Sequence, residues 1–456
     1  MAVAPVKDAA DAETRVRAGA NEHVKIGVFD IDGLLRGKFM HHDKFASSLE
    51  EGFGFCDVVL GWDSNDQLYD NADVTGWNTG FPDAQIRVLP ETGRQIPFED
   101  DRWLFLGEFS GAAEAVCPRG VLRRVLERAD AMGYRVNAGF EYEFFVFEET
   151  PHSVRDKHYR GLRPAAPANT GYSLLRAGSL GEFYREVLDT CTAMDMPLEG
   201  LHEETGPGVI EAAITVADGL AAADRAALFK TMVKLVAQRH GLLATFMAKW
   251  STQQPGQSGH IHLSLASAND GSSAFYAPDG NHDISDTMQH FIGGQQNLMS
   301  EFASLSAPTV NSYRRLVPGL WAPTHASWGI DNRTCALRVI PGSAKSQRVE
   351  FRLPGADANP YLALAGAIAS GLRGIEQEFE PTGPIDGNAY NAELSPDLSL
   401  PRSLSDATAA FRQSSVARDW FGDTFVDHFA ATRDWEVREF RRHVSDWELA
   451  RYFELI

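Results

Sequence analysis

The chain has 456 residues, 44% hydrophobic and 23% charged, with a formal net charge of −20. That length can bury a large core in more than one domain, and the composition is that of a soluble globular protein. The acidity argues against nucleic acid and anionic membrane surfaces as partners, and no apolar run approaches the ~18 residues of a membrane span. Cys56, Cys117, Cys191 and Cys335 are widely and irregularly spaced, so they read as reduced structural thiols. Residues 1–22 lack the apolar stretch of a signal peptide and are expected to form a flexible start, which points to a cytoplasmic protein.

In chain order, residues 24–110 are dense in short β-like runs. The stretch from His23 to Met40 reads as a hairpin with Asp32-Gly33 at its turn, and runs at 83–98 and 101–109 continue the pattern. These make a small, mostly β domain over residues 23–111, leaving 112–456 for a larger one. Cys117-Pro118 opens a helix with Val121, Leu122, Val125, Leu126, Ala129 and Met132 on one face and Gly133 as its stop. A strand follows at 136–149. Ser179 and Glu182 have capping-box spacing at the start of an amphipathic helix. A long helical pattern runs from Asp218 to His240, and Asn359-Pro360 starts another. Residues 381–403 are rich in Pro, Gly, Asn and Ser and read as loop. The strand–helix succession is that of an α+β protein without internal repeats.

Four segments carry chemistry. Glu141 and Glu143 share one face of a strand whose surroundings are apolar, which calls for arginines or metal ions nearby; alone, the pair also suits a solvated face. Glu203 and Glu211 flank Gly206 and Gly208, so a reversal there could bring both together, or make an ordinary polar hairpin. His260, His262 and Ser264 line one face of a third strand, in a ligand or phosphate-binding role or a structural one. Arg348, Glu350 and Arg352 line a fourth, downstream of Arg314, Arg315, Arg333, Arg338 and Lys345. This cationic density is either a salt-bridge network or a site for polyanions. Carboxylates, imidazole and arginines together suit hard divalent cations and phosphoryl transfer. No Walker A motif or kinase glycine loop is present.

The ordered motifs GFEYEFF, HEETGPGVIE, FMAKW with GQSGHIHLSL, NSYRRLVPGLWAP, NRTCALRV and KSQRVEFRLPGADANPYLA resemble the glutamine synthetase superfamily, from about residue 25 to the C-terminus. Within it the chain is most similar to the γ-glutamyl-amide branch, which includes γ-glutamylpolyamine and γ-glutamylalkylamide synthetases. The resemblance implies an N-terminal β-grasp domain, a catalytic domain with a curved antiparallel sheet, and a dodecamer of two hexameric rings with sites shared between subunits. It implies ATP, Mg²⁺ or Mn²⁺, L-glutamate and a small amine as cofactors and substrates. By position, Glu143, Glu203 and Glu211 match the ligands of one metal, and Glu141, His260 and Glu350 those of a second. His262, Ser264, Arg333, Arg338, Lys345 and Arg348 fall on nucleotide and phosphate positions. Gly256, Arg315 and Arg352 fall on glutamate positions. Asp63 stands where the family has an aspartate that helps to deprotonate the amine.

Two departures bear on the substrate. Pro255 replaces an asparagine that contacts glutamate. Trp321, with Leu320 beside it, replaces the glutamate that ammonia-using members carry, and an indole can wall an apolar pocket or make a cation–π contact. The expected reaction is therefore ligation of a primary alkyl or aryl monoamine to the γ-carboxyl of glutamate through an acyl phosphate. Polyamine ligation, ordinary glutamine synthesis and a non-catalytic relative are the alternatives. Tyr390 lies near the position of a regulatory adenylylated tyrosine, but its surroundings are unlike that motif and no such regulation is expected.

Overall fold

The computed structural model describes residues 4–456. Residues Ala9–Ala18 form a helix capped by Asp8, with Ala12 and Val16 buried against the small domain. This corrects the expectation of a flexible start. Ala12 and Val16, four apart, give the segment one apolar stripe, and packing rather than propensity supplies the stability of so short a helix.

The small domain is a five-stranded sheet ordered β2-β1-β5-β4-β3. Its strands are β1 His23–Phe29, β2 Leu35–His41, β3 Phe53–Cys56, β4 Asp83–Ile96 and β5 Arg102–Phe109. β1 pairs antiparallel with β2 and parallel with β5. The helix His42–Glu51 covers the sheet through Phe45. The β1–β2 turn carries Gly33 at φ 78°, and a Cβ there would sit 3.3 Å from Asn359 of the larger domain. Asn359 in turn donates to the carbonyls of Asp30 (3.1 Å) and Ile31 (3.2 Å), so the hairpin tip docks on the start of a buried helix. Arg433 pairs with Asp32 at 2.7 Å at the same junction.

The larger domain holds a nine-stranded sheet among the described residues. Its strands are β6 Tyr134–Phe147, β7 Leu198–Glu203, β8 Val209–Ile214, β9 Ala217–Asp218, β10 Leu243–Thr245, β11 Gly259–Ser267, β12 Trp328–Ile330, β13 Leu337–Ile340 and β14 Arg348–Phe351. The main path is β12-β13-β14-β11-β6-β8-β7, with β9 and β10 also pairing β6. Every pairing is antiparallel except β12 with β13. Phe140, Tyr142 and Phe144 of β6 and Ile261, Leu263 and Leu265 of β11 join the main core, together with the helices Pro118–Ala131, Gly219–Arg239 and Pro360–Glu376. The alternate residues are left for the other face.

The expected capping box does not form. Ser179 ends a short helix, Leu174–Ser179, and its hydroxyl donates back to the Arg176 carbonyl at 2.7 Å. The next helix, Gly181–Ala193, starts at Leu180 without a side-chain cap. The four cysteines are unpaired, three of them buried. No helix among the described residues is long and apolar enough to cross a membrane.

Candidate active site

The face of the sheet turned away from the core carries the charged residues. Strand register places them beside one another: His260 opposite Glu141, Glu350 between His262 and Arg338, and Glu211 between Glu143 and His202. Two clusters result. Glu141, His260 and Glu350 bring ligand atoms within 4.8 Å of one another, and so do His202, Glu204 and Glu211.

Glu203 is the correction. It pairs with Ile210, not Glu211, so its side chain leaves the sheet on the core side. There it is 2% exposed and accepts a hydrogen bond from the Tyr184 hydroxyl at 3.1 Å. Glu204, one residue further, lies past the end of β7 and joins Glu211 instead. Gly206 at φ 126° and Gly208 at φ 73° set this register, and a slip of one residue in a strand exchanges its faces.

Two recesses open on this face. One, of about 240 Å³, is lined by Glu141, Glu199, His262, Ser264, Lys345 and Arg348. The other, of about 250 Å³, takes in Glu141, Glu143, Glu204, Glu211, His260 and Glu350, with Gly256, Arg315, Leu320, Trp321, Arg333, Arg338 and Arg352 around them. Glu141 lines both. Gly256 has a steric role, since a Cβ there would meet Arg315 Cγ at 2.6 Å. Pro255 also lines the second recess and packs on Gly206. Asp63 lines neither. Its Oδ1 accepts from the N–H groups of Asn65 (2.8 Å) and Gln67 (2.9 Å), and its Oδ2 from Trp435 Nε1 (3.2 Å).

The structure adds residues that pattern alone did not single out. Glu204 was masked by its neighbour Glu203. Ser258 donates from both N–H and hydroxyl to Glu143 Oε2, each at 2.6 Å. Tyr172 stacks on His202 with ring centroids 4.6 Å apart. No sequence signal marks Tyr172, which sits in an irregular stretch between helices.

The charges are compensated unevenly. Burial alone would raise Glu141, but the imidazoles of His260 and His262 beside it outweigh burial and hold the carboxyl far below its usual range. Burial likewise opposes ionisation of Glu350, yet His260 and Arg352 bring it down to about 2. Glu350 also accepts from Arg338 (2.9 Å) and Arg352. Burial, then the charge of Arg352, lowers His260 below the usual imidazole range. Arg348 donates to His262 Nδ1 at 3.2 Å, and His262 Nε2 lies 3.1 Å from Glu141. Glu211 has no such help. Burial, followed by the charges of Glu141, Glu143, Glu204 and Glu350, pushes it up to about 9. Surplus negative charge on oxygen donors fits a hard divalent cation at His202, Glu204 and Glu211, with Glu143 beside them.

A family model described as glutamine synthetase, catalytic domain, matches residues 115–452. The chain is 42% identical over 447 residues to a type-1 glutamine synthetase 2 of Dictyostelium discoideum, covering 97% of this chain and 85% of that one. It is 36% identical over 441 residues to a glutamate–isopropylamine ligase of a Pseudomonas species, covering 95% of each. It is 39% identical over 443 residues to a γ-glutamylethanolamide synthetase of Streptomyces coelicolor, covering 96% and 94%. Ligand-free GmaS superposes with a TM-score of 0.84 at 28% identity, over 97% of this chain and 99% of that one. Acid clusters on the open sheet face, a match through nearly the whole larger domain and relatives similar over most of their length agree: the chain belongs to the glutamine synthetase family.

Proposed function

We propose that the chain is an ATP-dependent glutamate–amine ligase that joins the γ-carboxyl of L-glutamate to a primary alkyl or aryl monoamine. The observation that carries this reading is Trp321, 60% exposed at the rim of the recess that holds both acid clusters. An ammonium ion needs a negative charge at its entry, whereas an indole offers apolar area and a π face. The names of the isopropylamine and ethanolamide relatives support the same substrate class.

Nucleotide is assigned to the recess with Lys345, Arg348, His262 and Ser264, its phosphates directed toward Glu141, which both recesses share. Glutamate is assigned to the other, near Gly256, Arg315 and Arg352. A γ-carboxylate oxygen attacks the γ-phosphorus, the bond to the β-phosphate oxygen breaks, and ADP leaves. The amine nitrogen then attacks the acyl carbon, phosphate departs, and the nitrogen gives up a proton. Divalent cations, Mg²⁺ or Mn²⁺, held by Glu143, Glu204 and Glu211 with His202 and by Glu141, His260 and Glu350, would supply charge neutralisation on the phosphates. Arg333 lines the recess and has no ion pair among the described residues, so its guanidinium is available to the transferred group. Arg338 is fixed by Glu350 and by Asp331, 2.9 Å from its Nε, and offers a rigid positive charge.

Asp63 would take the amine's proton in the site of a neighbouring copy. A homo-oligomer, in the reading a dodecamer of two hexameric rings, is supported by the chain's last segment. The helix Asp446–Tyr452 buries none of its residues, and Trp447, Phe453, Leu455 and Ile456 are all exposed. Contiguous exposed apolar area of this kind marks an association surface.

ADP release with glutamate and a panel of primary amines against ammonium, with the product identified by mass, tests the proposal. At least one amine should exceed ammonium in kcat/KM. A second reading, glutamine synthesis from ammonia, is favoured by the name of the 42% identical relative; ammonium outperforming every amine would establish it and refute ours.

A further inference from the structure

The turn that presents Trp321 has an unusual backbone. Trp321 has φ 60°, in the left-handed region that bulky L residues avoid, and Gly319 two residues before it has φ 78°. A strained, largely exposed tryptophan persists only where its surroundings enforce the conformation. The enforcing contacts come from side chains. The Tyr390 hydroxyl donates to the Ala322 carbonyl at 2.9 Å. Arg352 Nη2 reaches the Trp321 carbonyl at 3.5 Å.

Tyr390 is itself firmly held, although its loop lacks regular structure. It sits in a single 3₁₀ turn, Ala389–Asn391, where the Asn388 side chain accepts its N–H at 3.0 Å. The Ala389 N–H donates to Thr334 Oγ1 (2.9 Å), and Asn332 Nδ2 donates to the Gly387 carbonyl (2.8 Å). Asn332 and Thr334 flank Arg333. One segment thus ties the arginine loop to the tryptophan turn.

We propose that Tyr390 is a positioning residue of the amine site: its hydroxyl pins the backbone at residues 321–322, holds Trp321 over the recess, and so sets the preference for an amine over ammonia. The inference rests on the assignment of Trp321 to the amine. Because Tyr390 acts through Trp321, the two substitutions must be non-additive.

The test measures kcat/KM for ammonium and for primary amines of increasing alkyl length in Tyr390→Phe, Trp321→Ala and the double variant. Tyr390→Phe keeps the ring and loses the hydroxyl. It should lower amine kcat/KM by about 5- to 10-fold, mainly through KM for the amine, as expected for one hydrogen bond. It should also flatten the dependence on alkyl length, while ADP affinity by titration stays unchanged. In the Trp321→Ala background the same change should have no further effect. Asn388→Ala, which loosens the turn carrying Tyr390, gives a milder variant with the same expected pattern should Tyr390→Phe melt early. An equal effect of Tyr390→Phe in both backgrounds overturns the latch. So does an unchanged amine-to-ammonium ratio in Tyr390→Phe where Trp321→Ala alters it. An unchanged ratio in Trp321→Ala itself overturns the amine-site reading, and the latch with it.

Discussion

Cation binding at the cluster of His202, Glu204 and Glu211 should expel a proton. Burial and four neighbouring carboxylates push Glu211 up to about 9, so near pH 7 roughly 99% of metal-free molecules hold that proton. A divalent cation takes the carboxylate form. Binding at pH 7 should therefore release close to one proton per site. The sign follows: raising the pH removes the competing proton, so apparent affinity should climb about tenfold per pH unit and level off near pH 9. Calorimetric titration of metal-stripped protein with Mn²⁺, in buffers of different ionisation enthalpy at one pH, counts the proton directly. Replacing Glu204 by Gln removes one of the charges that raise Glu211, so the rise in affinity should level off at a lower pH in that variant. Heats independent of the buffer at pH 7, with affinity flat from pH 7 to 9, would show that Glu211 carries no proton for the cation to displace.

Three further outcomes are expected. Glu204→Ala should cut ADP formation by more than the roughly 10- to 100-fold seen when a residue merely supporting a ligand is lost. Glu203→Ala should instead lower the melting temperature, by orphaning the Tyr184 hydroxyl at about 1–3 kcal/mol, and leave Mn²⁺ affinity intact; the reverse pattern in titration and melting would restore Glu203 as the ligand. Trp321→Glu should raise relative use of ammonium and weaken use of apolar amines, and an unaltered ratio of the two kcat/KM values would count against the assignment. Deleting residues 446–456 should shrink the assembly seen by light scattering, and mixing Asp63→Ala with Glu350→Ala subunits should recover part of the activity if sites are shared; a fully active monomer would contradict both.

Much of the site was readable because a strand's side chains alternate with a period of two. Glu141 with Glu143, His260 with His262 and Ser264, and Arg348 with Glu350 all needed only that alternation and an apolar partner set. The same rule failed at Glu203. Three consecutive polar residues, His202 to Glu204, carry no alternation of their own, and their register is fixed by how Gly206 and Gly208 turn the chain. Positional matching to a family cannot see a one-residue difference in such a turn. The Ala9–Ala18 helix was missed for another reason: its few apolar residues matter only once a sheet is there to receive them. Asp63 was placed by resemblance alone, and within one chain it caps its own loop and meets Trp435. It lines neither recess of its own chain, so the catalytic role proposed for it requires a neighbouring copy.

The two acid clusters are built on opposite electrostatic plans, and this explains why one sheet can carry so many carboxylates. Around Glu141 and Glu350 the protein supplies its own cations and donors: His260, His262, Arg338 and Arg352 all face them. Those carboxylates stay ionised in the bare fold, so a cation arriving there gains less, because it competes with groups already paired. Around Glu211 the described residues place only His202, 3.6 Å away, against a ring of glutamates. A half-buried carboxylate crowded by like charges favours keeping a proton or meeting a metal ion. The fold therefore holds the Glu141, His260 and Glu350 cluster in shape through Arg338 and Arg352, while the cluster around Glu211 would be completed by a bound cation. Arg352 links the two plans to the substrate side: it bonds Glu350 with one nitrogen and reaches the Trp321 carbonyl with another. A shift of the tryptophan turn is thus felt at Glu350 through one intervening side chain.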